Sequence, residues 1–428
     1  MSLKKKLYHI ENLIFVVAFA FILYHMVSTY GLDIRMSLKG KGLLGRIVEA
    51  VAKHQYYITL VSFIIFINSS LILWEIFSFF VLLFKNERDA KGADKYKGIF
   101  RKVRLHYKSS FLALLVTNLL PRLIVVPVFW VWFSHFKGLQ PFTVNLKWYS
   151  WIYGYFCWEF ASWLFHYSSH RVRLLWCFHS PHHGPTEINM TVNWIHFFAE
   201  SYFATFVHLL VLLLLGVNPA MFFTIIAIDG AWGIFTHISE HALADGRLGF
   251  LRHLLITPAH HRVHHAKNHL YLDTNFANVL PFWDWVFGTL QPIKDEVKPA
   301  YGLLRNLDAT NFFDLYVGEF LLLYRDVKHS KGIVNKFLYI VMPPGWTPVS
   351  ADHTAAILRQ KFLTANPELA VTSKVRLINL IKSKLLKVES DYKPGEIPGA
   401  GLVEMKISPV QVSRLDPNPF QRPADITK

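Results

Sequence analysis

Cysteine is almost absent from this 428-residue chain, which holds only Cys157 and Cys177. Two thiols cannot build a disulfide scaffold, a cysteine-lined zinc site or an iron–sulfur cluster. Charge is scarce as well, at 17% of residues against about 25% in soluble domains. Hydrophobic residues make up 53% and aromatic residues 16%, a balance that excludes disorder for most of the chain and argues against one large soluble protein. Several catalytic signatures are missing: there is no HExxH, no GxxxxGK[ST] and no GxSxG. Gly40, Gly42 and Gly45 match GxGxxG, but no strand precedes them and no βαβ unit surrounds them, so no dinucleotide site is expected. The paired Glu-x-x-His of ferritin-like carboxylate bundles is absent too, and a metal site here is expected to be all-histidine. Acids are outnumbered, 29 against 45 Lys and Arg, for a net charge of +16. In so apolar a chain this points to anionic membrane surface and topology control, with no nucleic-acid partner expected.

What the chain does have is long apolar runs. About 20 such residues carry a helix across the roughly 30 Å hydrocarbon layer, and candidates lie at 10–27, 57–84, 111–136, 148–165, 202–215 and 220–235. Pro121 and Pro127 predict a kinked or broken third span. The last two runs are joined only by the turn Gly216-Val217-Asn218-Pro219. Segment 85–108 carries nine Lys or Arg against three acids, which marks it as cytoplasmic by the positive-inside rule. The fold expected is therefore all-α: a polytopic membrane protein with about six transmembrane helices and a histidine-rich di-metal domain on the cytoplasmic face. The chain divides into an N-terminal membrane hairpin and basic loop (1–110), a catalytic membrane domain (111–300), an amphipathic C-terminal segment (301–390) and a flexible tail (391–428). The tail has six prolines in 38 residues and little to bury.

Histidine is the anomaly. Of 22 in the chain, 15 fall between His166 and His269. Four clusters stand out: His166 and His170; His179, His182 and His183; His237 and His241; His261, His264 and His265. On a helix, residues three or four apart share a face. An i, i+4 pair can clamp one metal, while an i, i+3, i+4 triple can also offer its third imidazole to a neighbouring metal. Ten histidines so arranged amount to about five ligands for each of two metals. Imidazole suits Fe, Zn, Cu and Ni alike; the surplus over the four ligands of a closed zinc site, beside a membrane, favours iron. Isolated histidines are ordinarily core or surface residues, which is the expectation for His9, His25, His54, His106, His135, His196 and His208. Bound imidazoles need partners on their other nitrogen; His260, His269, Asp229, Glu159 and Glu240 are candidates to supply support.

At these residues the chain resembles the fatty acid hydroxylase and sterol desaturase superfamily of integral-membrane di-iron oxygenases. The likeness is carried by Trp158-Glu159-Phe160, by His166 through Arg171, by Trp176 through His183, by Thr257 through His265, by Asn275-Phe276-Ala277 and by Phe282 through Thr289. Within the superfamily the motifs look most like those of alkylglycerol monooxygenases, and the likeness runs from about 148 to 348, including Pro343-Pro344-Gly345-Trp346. The resemblance implies that the ten clustered histidines hold two iron ions. It implies O2-dependent hydroxylation or desaturation of a membrane lipid, such as an alkylglycerol, a fatty acyl chain or a sterol. An external electron donor is implied as well: a ferredoxin, a cytochrome b5 system or a reduced pterin. Such a protein belongs in a bacterial inner membrane or the endoplasmic reticulum. Two other readings of the residues stay open at this point, a membrane metal-binding or transport protein without redox chemistry and a catalytically silent family member with structural metals.

Overall fold

The computed structural model describes residues 55–86, 107–110, 112–114, 120–307 and 311–370. Among the described residues every regular element is helical, and the only β pairing is two isolated bridges, Ala266 with Tyr301 and Thr347 with Ser350. Helix α1, Gln55–Asn86, follows the second apolar run, and its stretch Phe66–Leu83 is long and apolar enough to cross a membrane. No other described helix meets both conditions. The run at 10–27 lies outside the described residues. The third run is helical as α2, Leu120–Phe136, 17 residues. The described helix runs past Pro127 without a break.

Helix α3, Trp148–Arg171, is 24 residues long, but buried Glu159, Ser162, Ser169 and His170 make it too polar to read as a simple span. It stops at Val172, whose extended backbone turns the chain into α4, Arg173–His183. Helices α5, Glu200–Leu214, and α6, Phe222–Thr236, hold 15 residues each. At 1.5 Å per residue each is about 22 Å long, short of the roughly 30 Å layer. The turn between them is tight: Gly216 adopts a left-handed φ of 69°, open to glycine at no steric cost, and Met221 N donates to Asn218 O at 3.0 Å.

Helices α2, α3 and α5 pack together around Phe129, Trp158, Leu209, Leu213, Met221 and Ile225, all buried. Gly154 permits the close approach, since a Cβ there would lie 2.7 Å from Met221 Sδ. Helix α7, Pro258–His264, and the short α8, Phe282–Phe287, follow. Helix α9, Phe312–His329, lies along α4, tied by Arg173 to Asp326 at 2.6 Å. It leads into α10, Ile333–Val341, and α11, Ala355–Ala365.

Candidate metal centre

Four helix ends converge on one point. Helix α3 brings His166 and His170 in its last turns, α4 ends in His179, His182 and His183, His237 caps α6, and α7 carries His261, His264 and then His265 as its cap. Helix α7 is nucleated locally: Pro258 occupies the first turn and Thr257 with His260 forms a capping box, satisfying N–H groups that the short helix cannot pair internally.

The imidazoles sort into two groups in which the ligand atoms all lie within 4.8 Å of one another. The first holds His166, His170, His179, His183 and His264; the second holds His182, His237, His261 and His265. Each HxxHH triple is split between them. His179 and His183, one turn apart on α4, face the first group while His182 faces the second; on α7 the roles reverse, with His261 and His265 in the second and His264 in the first. The groups adjoin where the His183 and His265 rings stack at 4.4 Å.

The hydrogen bonds establish which nitrogen carries the proton. His166 Nδ1 donates to Phe276 O at 2.8 Å, His179 Nδ1 to Glu200 Oε1 at 2.7 Å, His237 Nδ1 to Gly233 O at 2.6 Å and His264 Nδ1 to Thr274 O at 2.9 Å. With hydrogen on Nδ1, Nε2 of a neutral ring is a bare lone pair. Yet His166 Nε2 faces His179 Nε2 at 3.1 Å, an arrangement in which neither can donate. His264 Nε2 and His170 Nε2 are buried with no hydrogen-bond partner, and in the second group His237 Nε2, with its proton on Nδ1, faces His182 Nε2 at 3.1 Å and His261 Nε2 at 2.8 Å. Converging, unprotonated, orphaned nitrogens are what a cation between them satisfies, so the donor set fits a metal in each group. Burial pushes the imidazoles of His182, His183, His261 and His265 well below their ordinary range, with repulsion from neighbouring imidazoles adding to it. Burial likewise takes His237 and His264 down to about 3. All six are neutral near pH 7, the form that binds metal.

The structure does not bring His241 into either group. Its Nε2 lies 2.9 Å from Ser239 Oγ and its ring packs on Phe79 of α1 at 5.4 Å. The region holds instead one histidine expected to be ordinary. His196 stacks on His182 at 4.3 Å and donates from Nδ1 to Glu200 Oε2 at 2.8 Å. The supporting carboxylates also differ from those expected. Glu159 accepts from the backbone N–H of Leu280, Glu240 accepts from the Tyr301 hydroxyl, and His260 serves the α7 cap. Glu200 bridges His179 and His196, and Asp273 Oδ1 lies 3.4 Å from His170 Nδ1.

Other sequence motifs hold backbone in place. Asp284 accepts from the N–H groups of Phe276 and Ala277 and from Trp163 Nε1, which fixes the carbonyl that receives the His166 proton. Asn275, with a left-handed φ of 57°, donates to the carbonyls of His260 and Gln291. Arg262 is buried between the two halves of the last triple and donates to Ile238 O and Leu243 O, anchoring the chain after His237. Glu75 of α1 accepts from the N–H of Met190 and of Ser239, tying the apolar helix to the same segment.

The matches to known proteins fall on this region. A family model described as fatty acid hydroxylase matches residues 151–289. Alkylglycerol monooxygenase of Xenopus tropicalis is 30% identical over 190 residues, covering 44% of this chain and 41% of its own length. The Homo sapiens alkylglycerol monooxygenase is 27% identical over 219 residues, covering 51% and 47%. Ornithine lipid hydroxylase of Rhizobium tropici is 30% identical over 131 residues, covering 31% and 38%. The chain thus spans less than half the length of each of these curated relatives. No solved structure matches it. The resemblance seen in the histidine motifs therefore holds: residues 151–289, which match the fatty acid hydroxylase family model, carry both histidine groups.

Proposed function

We propose that this protein is a membrane-bound, O2-dependent di-iron enzyme that hydroxylates a lipid, with His166, His170, His179, His183 and His264 as ligands of one iron and His182, His237, His261 and His265 as ligands of the other. The observation that carries the proposal is the pair of converging, unprotonated imidazole groups inside a domain of a hydroxylase family. Iron bound there would supply activation of O2, with one oxygen atom inserted into a C–H bond and the other leaving as water. The chain's own residues hold the ligand rings by their Nδ1 protons, through the carbonyls of Phe276, Gly233 and Thr274 and the carboxylate of Glu200. They also keep the site dry: of the nine ligands only His166 is more than marginally exposed.

Insertion of one oxygen atom takes two electrons from outside the reaction, and we assign their delivery to an external donor, a ferredoxin, a cytochrome b5 system or a reduced pterin. The proposed topology places the histidine groups at the cytoplasmic face, on the side of the basic segment 85–108, with α1 as one span among about six. Alkylglycerols and fatty acyl chains are the first substrates to try. A metal transporter would place its ligands on a path through the membrane, whereas these imidazoles are closed in by four helix ends.

The test is turnover by purified protein in lipid nanodiscs under 18O2, supplied in separate reactions with a reduced pterin or with a ferredoxin or cytochrome b5 system. A hydroxylated lipid carrying the label supports the proposal. Absence of labelled product with every donor and lipid class, in iron-loaded protein, overturns it.

A further inference from the structure

We propose that a cleft beside the first histidine group binds the phosphodiester headgroup of a glycerophospholipid, anchored by Arg171 and Arg359. The cleft has a volume of about 710 Å³ and lies between the end of α3, the segment 272–274 and helix α11. One face of α11 lines it, with Ala356, Arg359, Gln360, Leu363 and Thr364 at the i, i+3, i+4, i+7, i+8 spacing of a single helix side.

Both guanidiniums are held in place with donors to spare. Arg359 donates from Nε to Leu270 O and from Nη2 to Gln291 Oε1, each at 2.9 Å, which leaves its Nη1 donors for a ligand. Arg171 lies over the Tyr167 ring at 5.3 Å, with Nη1 3.3 Å from Asp273 Oδ2 and a buried Nε that has no hydrogen-bond partner. Two guanidiniums against the one carboxylate of Asp273 leave a single net positive charge on the lining. A monoanion matches that charge, and arginine forks match the paired oxygens of a phosphate.

The opposite wall is apolar and aromatic. Trp163 and Tyr167 line it, and Trp163 stacks at 4.1 Å on Phe287, which is itself exposed. An aromatic rim beside fixed cations is the composition of a membrane interface, which favours a phosphate that arrives attached to a lipid over one free in solution. That source rests on the reading of the protein as a lipid enzyme; recognition of the phosphate does not.

The cleft and the first histidine group share a wall. Asp273 and Thr274 line the cleft, and these same residues reach His170 from the Asp273 carboxylate and His264 from the Thr274 carbonyl. Asp273 and Asn275 hold left-handed φ values of 53° and 57°, rare for residues with a side chain. A headgroup bound there would sit one residue's thickness from the proposed metal ligands.

The test uses the full chain with its metal, in uncharged maltoside micelles, titrated with dihexanoylphosphatidylglycerol, dihexanoylglycerol or inorganic phosphate while tryptophan fluorescence is followed. The phospholipid should bind saturably and the phosphate-free lipid at least about tenfold more weakly. Arg359→Gln should weaken the phospholipid about tenfold or more, with partial recovery in Arg359→Lys. Thr364→Trp, at an exposed rim position of α11, should also weaken it and keeps the test open if Arg359→Gln fails to fold. Inorganic phosphate binding as tightly as the phospholipid overturns the lipid source. Equal binding of the two lipids, or unchanged binding in Arg359→Gln and Thr364→Trp, overturns the site. Metal content is read separately: a chain that binds the phospholipid without holding metal overturns the oxygenase reading alone, and one that holds metal without binding it overturns the cleft alone.

Discussion

The two histidine groups share α4 and α7, draw their remaining imidazoles from α3 and from the end of α6 respectively, and are supported differently. The first has five imidazoles, one held by the buried carboxylate of Glu200 and another facing Asp273. The second has four, and the proton of its His237 goes to a neutral carbonyl, Gly233 O. The first group therefore has more ligands and anionic support, which raises ligand basicity and offsets metal charge. The second has one imidazole fewer, and besides the Gly233 carbonyl it has the stacked ring of His196 beside His182. On the proposed reading, the split of each HxxHH triple serves two unequal sites, with stronger retention expected in the first.

Removing single ligands should break the comparison most sharply. His264→Ala and His261→Ala alter positions three residues apart on α7, yet they belong to different groups. Each should abolish turnover and cost about one of two bound metals. Metal-specific spectroscopy should show the signal that survives in one variant missing from the other. Identical residual spectra would show that the groups are not separate sites.

A smaller effect is expected from the carboxylate. Glu200→Gln keeps shape and loses charge, and should weaken metal retention by roughly 10- to 100-fold at the first group, with the second unaffected. Chelator competition followed by metal analysis reads this directly, and equal weakening of both metals would contradict the asymmetry.

Acid should act on both groups once metal is removed. An imidazole held below its ordinary value stays neutral in the fold and takes up a proton on unfolding. The stability it contributes is therefore complete above about 6.5 and is lost progressively as pH falls towards the folded value of about 3 for His237 and His264. In chelator-treated protein, Tm should be flat from pH 8 to 7 and fall steadily below pH 6.5. A flat Tm down to pH 4 would contradict the burial of neutral rings.

The smallest effect belongs to His241. With its contacts to Ser239 and Phe79, His241→Ala should leave bound metal and turnover within about twofold and cost about 1 kcal/mol of stability. Loss of a metal in that variant would restore it to the ligand set.

The helical spacing made most of this centre legible. Within a helix, pairs and triples at i, i+3 and i+4 share a face, and His166/His170 and the two HxxHH triples lie on or at the end of helices. What spacing could not carry was the choice among partners distant in sequence. Glu200 is 21 residues from His179, and only the approach of α5 to α4 joins them. His241 keeps the i+4 interval from His237, but α6 has ended by then and the interval no longer implies a shared face. Glu75 did leave a signal, a carboxylate inside the longest apolar run of the chain, where an ionisable group ordinarily has a task. The roles of Asp284 and Asn275 as backbone anchors depend on long-range turns that no period encodes. Apolar length leaves the number of spans open, since among the described helices one is long and apolar enough to cross and α5 and α6 hold fifteen residues each.

Metal-to-protein ratio is the most direct measurement. In full-length protein loaded anaerobically with ferrous iron, two histidine-bound metals require a ratio of about two, falling to about one in His237→Ala, with Glu200→Gln losing its metal from the other group. A wild-type ratio at or below one, or an undiminished ratio of two in His237→Ala, would contradict a centre made of two histidine groups.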